Sequence, residues 1–127
     1  LKMKITFDYY LNIFLKIVAW TWLLAIAYLS LMPQVNIPIS FNHVDKIFHL
    51  GAYAVATLFV LISYSNNNIN IILLFLYSLS MEIGQLFVKN RFFEISDLIA
   101  NLAGILIMAY IFNRFLRSYL TINNIKK

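Results

Sequence analysis

Three short runs of this sequence carry side chains that could bind ions or move protons. The first holds Asp45, Lys46, His49 and Tyr53; Asp45, His49 and Tyr53 are spaced i, i+4, i+8 and so share one face of a helix. The second holds Glu82 and Gln85, spaced i, i+3, with Lys89 continuing that face and Arg91 just beyond. The third holds Asp97 and Asn101, spaced i, i+4, followed three residues later by Gly104. A histidine beside carboxylates has the ingredients of an acid–base pair, so His49, Glu82 and Asp97 are the catalytic candidates. Lys46, Lys89 and Arg91 could hold a phosphate, pyrophosphate or carboxylate, or stabilise a developing negative charge. Tyr53, Gln85 and Asn101 add neutral groups that could orient a ligand. No nucleophile motif accompanies them. The chain has no cysteine, and His49 with Asp45, Glu82 or Asp97 is a non-specific ligand set. Neither a metal nor any other cofactor is assigned from the sequence.

The elements that must position these residues are apolar helices. Of 127 residues, 62% are hydrophobic and 12% charged, against roughly 45–50% and 25% in soluble domains. A soluble chain this short could not hide so much apolar surface in one core. Apolar stretches run over residues 13–32, 47–64, 71–88 and 98–112, each close to the ~17–25 residues of a spanning helix once polar ends are counted. The sequence therefore predicts an all-α membrane protein: one domain over residues 1–127, a four transmembrane helix bundle with helices at about 12–32, 45–64, 69–88 and 96–116. Pro33 and Pro38 end the first stretch. Ser65-Asn66-Asn67-Asn68 reads as a polar turn, Lys89-Asn90-Arg91 ends the third stretch, and Ser96 or Asp97 is an N-cap for the fourth. Lys2 and Lys4 with Ala25-Ile26-Ala27 have the outline of a cleaved leader, but apolar residues continue to Met32, so the segment reads as a retained helix.

Lysine and arginine counts orient the bundle. Lys2, Lys4, Lys16, Arg114, Arg117, Lys126 and Lys127 fall on one side, and Lys46, Lys89 and Arg91 on the other. Seven against three predicts both termini in the cytoplasm, with Phe7, Tyr9, Tyr10, Phe115 and Tyr119 in the inner aromatic belt. The basic residues form no patch, which argues against nucleic acid. They meet anionic lipid instead. All three polar faces then point to the outer end of the bundle. Glu82 lies about 9 Å below the boundary near Val88, at 1.5 Å rise per residue. A lone carboxylate there would take up a proton or need a partner; His49, Lys46, Lys89 and Arg91 are the candidates.

Polar residues can also simply join helices. That reading accounts for Ser78, Asn101 and Gly104, and accounts less well for a histidine, two acids and several basic groups at one depth. His43 reads as a solvated loop residue, Trp20 and Trp22 as packing residues, and Met3, Met32, Met81 and Met108 as lipid-facing or packing residues.

Asp45-Lys46-Ile47-Phe48-His49 with Tyr53, Glu82-Ile83-Gly84-Gln85, and Arg91 followed by Asp97, Asn101 and Gly104 resemble, in order, the D-K-x-x-H, E-x-x-Q and R…D-x-x-x-N-x-x-G motifs of the VanZ-like membrane protein family. The likeness covers about residues 40–110; Met108 stands where a second glycine is often seen. The resemblance implies a small bacterial inner-membrane protein with an envelope-related role. The founding member of the family is associated with resistance to the glycopeptide teicoplanin. Partners expected on this reading are membrane lipids and an anionic envelope lipid or lipid-linked precursor, bound at the extracytoplasmic face. The alternatives are a membrane enzyme using His49 with Glu82 or Asp97 on a lipid-linked substrate, a proton or ion relay through Glu82 and His49, and a helix–helix polar network without ligand. Homo-oligomerisation stays open.

Overall fold

The computed structural model describes residues 2–33, 42–116 and 118, with side chains over 9–33, 44–115 and 118. The break at 34–38, the side chains of Lys2, Lys4, Phe7 and His43, and Arg117, Tyr119 and the tail lie outside the described residues.

The described residues form four helices and no strand: α1 (Lys2–Leu31), α2 (Asn42–Ser63), α3 (Asn67–Gln85) and α4 (Ile95–Ile111), the last continuing as a π turn over Phe112–Leu116. Side-chain contacts give an up-down-up-down order. Leu23 and Leu31 meet Tyr77 and Gly84, so α1 and α3 run the same way; Lys46 and His49 meet Asp97 and Asn101, so α2 and α4 do too. Three segments are long and apolar enough to cross a membrane: Tyr9–Leu31, Val44–Ser63 and Ile95–Phe115. The α3 helix is less apolar, because Asn67, Asn68 and Asn70 open it and Glu82 and Gln85 close it. Large apolar side chains such as Phe14, Ile17, Leu24, Ile72, Leu73 and Leu106 are exposed, which water would penalise and lipid does not.

Helix boundaries differ from those read in the sequence. The α1 helix starts about ten residues earlier, since residues 2–11 hold no glycine or proline to stop it. The α2 helix starts at Asn42, so His43 is helical and not in a loop. The α3 helix ends at Gln85. The backbone then tightens, with Leu86, Phe87 and Val88 donating to carbonyls three residues back, and turns at Asn90 with φ 61°, a left-handed conformation asparagine tolerates. The α4 helix begins at Ile95 with Glu94 at the N-cap position, and Glu94 makes no side-chain cap bond. Neither Ser96 nor Asp97 is the cap.

Small residues let the helices approach. Ala19, Ala56 and Ile105 are buried with Ile26, Tyr53, Val60 and Leu74, and Leu61, Ala109 and Phe112 form a second cluster towards the asparagine turn. The closest approach is α2 on α4: a Cβ at Gly104 would strike the carbonyl oxygen of Leu50, as expected of a glycine at a membrane helix crossing. The α1 helix is peripheral, with 11% of its spanning window buried against 39% in the α2 and α4 spans. Directed hydrogen bonds hold it. The Trp22 indole donates to the Ala52 carbonyl at 3.0 Å, and the Tyr77 hydroxyl to the Leu23 carbonyl at 2.5 Å.

Candidate functional site

The polar residues gather where α2 begins, α3 ends and α4 begins. The α2 helix presents Asp45, Lys46 and His49 there because one helical turn separates Asp45 from His49. The α4 helix presents Asp97 and Asn101 one turn apart, in register with Lys46 and His49 because Gly104 lets the two helices run close. Glu82 enters from α3, one turn before its end, about 4.5 Å along the axis at 1.5 Å per residue. It lies nearer the edge of the bundle than the apolar stretch alone suggested.

Two linked networks result. In the outer one, Lys46 binds Glu94 at 2.6 Å and also pairs with Asp97; the Ser96 hydroxyl donates to the same Glu94 carboxylate at 3.2 Å. The Lys46 ammonium holds the Glu94 carboxyl below the usual carboxylate range. In the inner one, Asn101 Nδ2 donates to Glu82 Oε1 at 3.3 Å, and His49 Nδ1 lies 3.0 Å from Asn101 Oδ1. The chemistry fixes the directions. With Glu82 as a carboxylate, the amide turns its NH2 to Glu82 and its oxygen to His49, and Nδ1 donates. Nε2 is the other ring nitrogen. That atom faces Asp97 Oδ2 at 3.6 Å and Asp45 Oδ1 at 4.0 Å.

Exposure is graded through the cluster. The Glu94 and Asp45 side chains are about half exposed, Lys46 28%, His49 14%, Asp97 7% and Glu82 1%. Asn101 is fully buried, and Glu82 Oε2 is buried with no hydrogen-bond partner among the described residues.

Other residues singled out in the sequence go elsewhere. Arg91 does not join His49, Glu82 and Asp97. Its Nε donates to the Met32 carbonyl at 3.1 Å and a terminal nitrogen to the Leu29 carbonyl at 2.9 Å. The last turn of a helix leaves its carbonyls without intrahelical donors, and Arg91 supplies them for α1. Gln85 acts alongside it, reaching the Ser30 carbonyl at 3.4 Å. Tyr53, one turn below His49, is in the core against the Tyr77 ring. Lys89 is exposed and has no partner among the described residues. The sequence reading left Glu94 out of the site although it is the second acid on Lys46; its signal was the i, i+3 spacing with Asp97.

A family model described as VanZ/LLP1 covers residues 3–117. No curated protein matches, and no solved structure matches.

Proposed function

The chain belongs to the VanZ/LLP1 family, whose model spans residues 3–117, and from that premise we propose a bacterial inner-membrane protein whose polar cluster holds the anionic headgroup of an envelope lipid or lipid-linked precursor. All four helices cross the bilayer, both termini are cytoplasmic, and the cluster opens to the extracytoplasmic face. The seven-to-three split of lysine and arginine supports this orientation. Cysteines introduced at positions 36 and 67 test it: a membrane-impermeant reagent applied from outside labels the first and spares the second.

The observation that carries the binding reading is the graded exposure within one connected network. It runs from half-exposed Glu94 and Asp45 down to buried Asn101 and Glu82. A network that only joined helices would have no use for charged side chains that reach its exposed edge. Arg91 is committed to α1, so a phosphate would reach Lys46 in competition with Glu94 and Asp97. Native mass spectrometry of the purified protein tests the reading. Anionic lipids should be retained over neutral ones, and Lys46→Met should abolish the preference. Equal, weak retention of both, unchanged by Lys46→Met, would remove its support.

A second reading, a membrane enzyme, is favoured by the orientation of His49. The Asn101–Glu82 chain directs the Nε2 lone pair towards the open side of the cluster, as a general base requires. On this reading His49 takes a proton from a lipid-linked substrate and Asp97 stabilises the imidazolium. A product formed from lipid-linked precursor by wild type and not by His49→Ala, with lipid binding kept, separates catalysis from binding. A change in teicoplanin susceptibility on deletion or overexpression is the corresponding test in cells.

A further inference from the structure

Asp45, His49 and Asp97 each offer one ligand atom, and these atoms lie within 4.8 Å of one another. His49 Nε2 stands 3.6 Å from Asp97 Oδ2 and 4.0 Å from Asp45 Oδ1. Those separations are too long for hydrogen bonds. They suit atoms that share one ion, since ligands each about 2.0–2.2 Å from a zinc centre stand roughly 3–4 Å apart.

Two independent features point the same way. The first is the ring. Metal-bound histidines donate their other nitrogen to a carbonyl or carboxylate, which fixes the tautomer and aims the ligating lone pair. Here Nδ1 faces the Asn101 carbonyl, Asn101 is anchored on buried Glu82, and Nε2 faces the two aspartates. The second is charge. Asp45, Glu94 and Asp97 meet a single fixed cation among the described residues, Lys46, with Glu82 buried beneath them. Arg91 is turned to the α1 carbonyls, Lys89 is exposed and apart, and residues 34–41 contain no charged residue. Glu82 adds a buried carboxyl oxygen with no hydrogen-bond partner among the described residues. Excess negative charge at the end of an apolar bundle calls for a cation.

We propose that Asp45 Oδ1, His49 Nε2 and Asp97 Oδ2 form a binding site for a divalent first-row transition ion of the zinc class. An imidazole nitrogen with two carboxylate oxygens suits such an ion better than magnesium or calcium, which take oxygen ligands. Three protein ligands leave a coordination position open, where an anionic group could bind despite the acidic surroundings. The site stands on this geometry and not on the lipid reading. Lys46 holds the other oxygen of Asp97 and competes with the ion for the same carboxylate charge.

The test is a Zn2+ titration of chelator-treated protein in detergent, without lipid, followed by calorimetry and by elemental analysis of the desalted sample. Wild type should bind one ion per chain. His49→Ala and Asp97→Asn should each weaken binding by about a hundredfold, and Asn101→Ala by about tenfold. His43→Ala, which removes the only other histidine, should leave it unchanged. Lys46→Met should tighten it by about tenfold, a gain that damage to the fold cannot produce. No binding by wild type, equal binding by wild type and His49→Ala, or weaker binding by Lys46→Met would each overturn the proposal.

Discussion

The two ends of the bundle join their helices by different chemistry. At the asparagine-turn end the contacts are neutral or aromatic. Asn67 donates to Asn113 at 3.0 Å, Asn66 caps α3 by accepting from the Ile69 N–H, and the Trp20 indole donates to the Tyr64 hydroxyl at 3.0 Å. The described charges there, Lys16 and Arg114, lie over the Tyr64 and Phe115 rings at 5.3 Å and 5.8 Å, an arrangement that needs no counter-ion. At the opposite end four carboxylates, a lysine and a histidine meet. Both ends connect neighbouring helices, so connection alone does not require carboxylates. Neutral amides do the same work at about 0.6 kcal/mol a contact, whereas a buried carboxylate brings a desolvation penalty of several kcal/mol. The difference marks the carboxylate end as the one with a task besides cohesion.

Substitutions can break or sharpen this contrast. The largest effect should come from Gly104→Val, because the new side chain meets the Leu50 backbone and must push α2 from α4. We expect a loss of about 3 kcal/mol in a detergent-denaturation assay, with both networks of the charged end lost together. Arg91→Ala should come next. It strips two charge-assisted donors from the α1 terminus, for about 1–2 kcal/mol, and should raise proteolysis near residue 33 while leaving the Lys46–Asp97 pair in place. Asn67→Ala at the neutral end should lower stability by less than about 1 kcal/mol and leave ligand binding intact. A comparable loss of binding there would erase the contrast between the ends.

The smallest effect is in acid. The Glu94 carboxyl is held below its ordinary value by Lys46. Its contribution is therefore complete above the unfolded carboxylate value of roughly 4.3 and is lost as pH falls through the lower folded value. Glu94 is half exposed, so the change is small. Thermal melts of wild type and Glu94→Gln should differ at neutral pH and converge in acid.

Most of the fold was legible because apolar length is a direct signal: each of the four stretches became a helix. The α3 helix was the least clear for a physical reason, its short apolar run between three asparagines and Glu82. The site was legible where i, i+4 spacing sets a face. Asp45 with His49 and Asp97 with Asn101 are such pairs, and the α2–α4 approach at Gly104 brings them together. Arg91 was not legible, because its targets are backbone carbonyls of α1, which have no side-chain signature. Glu94 was legible only as one of the acids that could pair with the basic residues, because it belongs to the turn entering α4, where spacing rules are weakest.

The claim that the charged end is a site and not only cohesion is tested most directly by Glu82→Leu, read for stability and lipid binding in one preparation. Glu82 is buried, accepts from Asn101 and lies 3.9 Å from His49 Nδ1. An apolar replacement of similar size should shift stability by about 1 kcal/mol or less, because Asn101 loses one acceptor while a desolvated carboxylate is removed. Selective retention of anionic lipid should fall at least tenfold. A variant that binds anionic lipid as wild type does, or one that loses binding only because it no longer folds, would contradict the account.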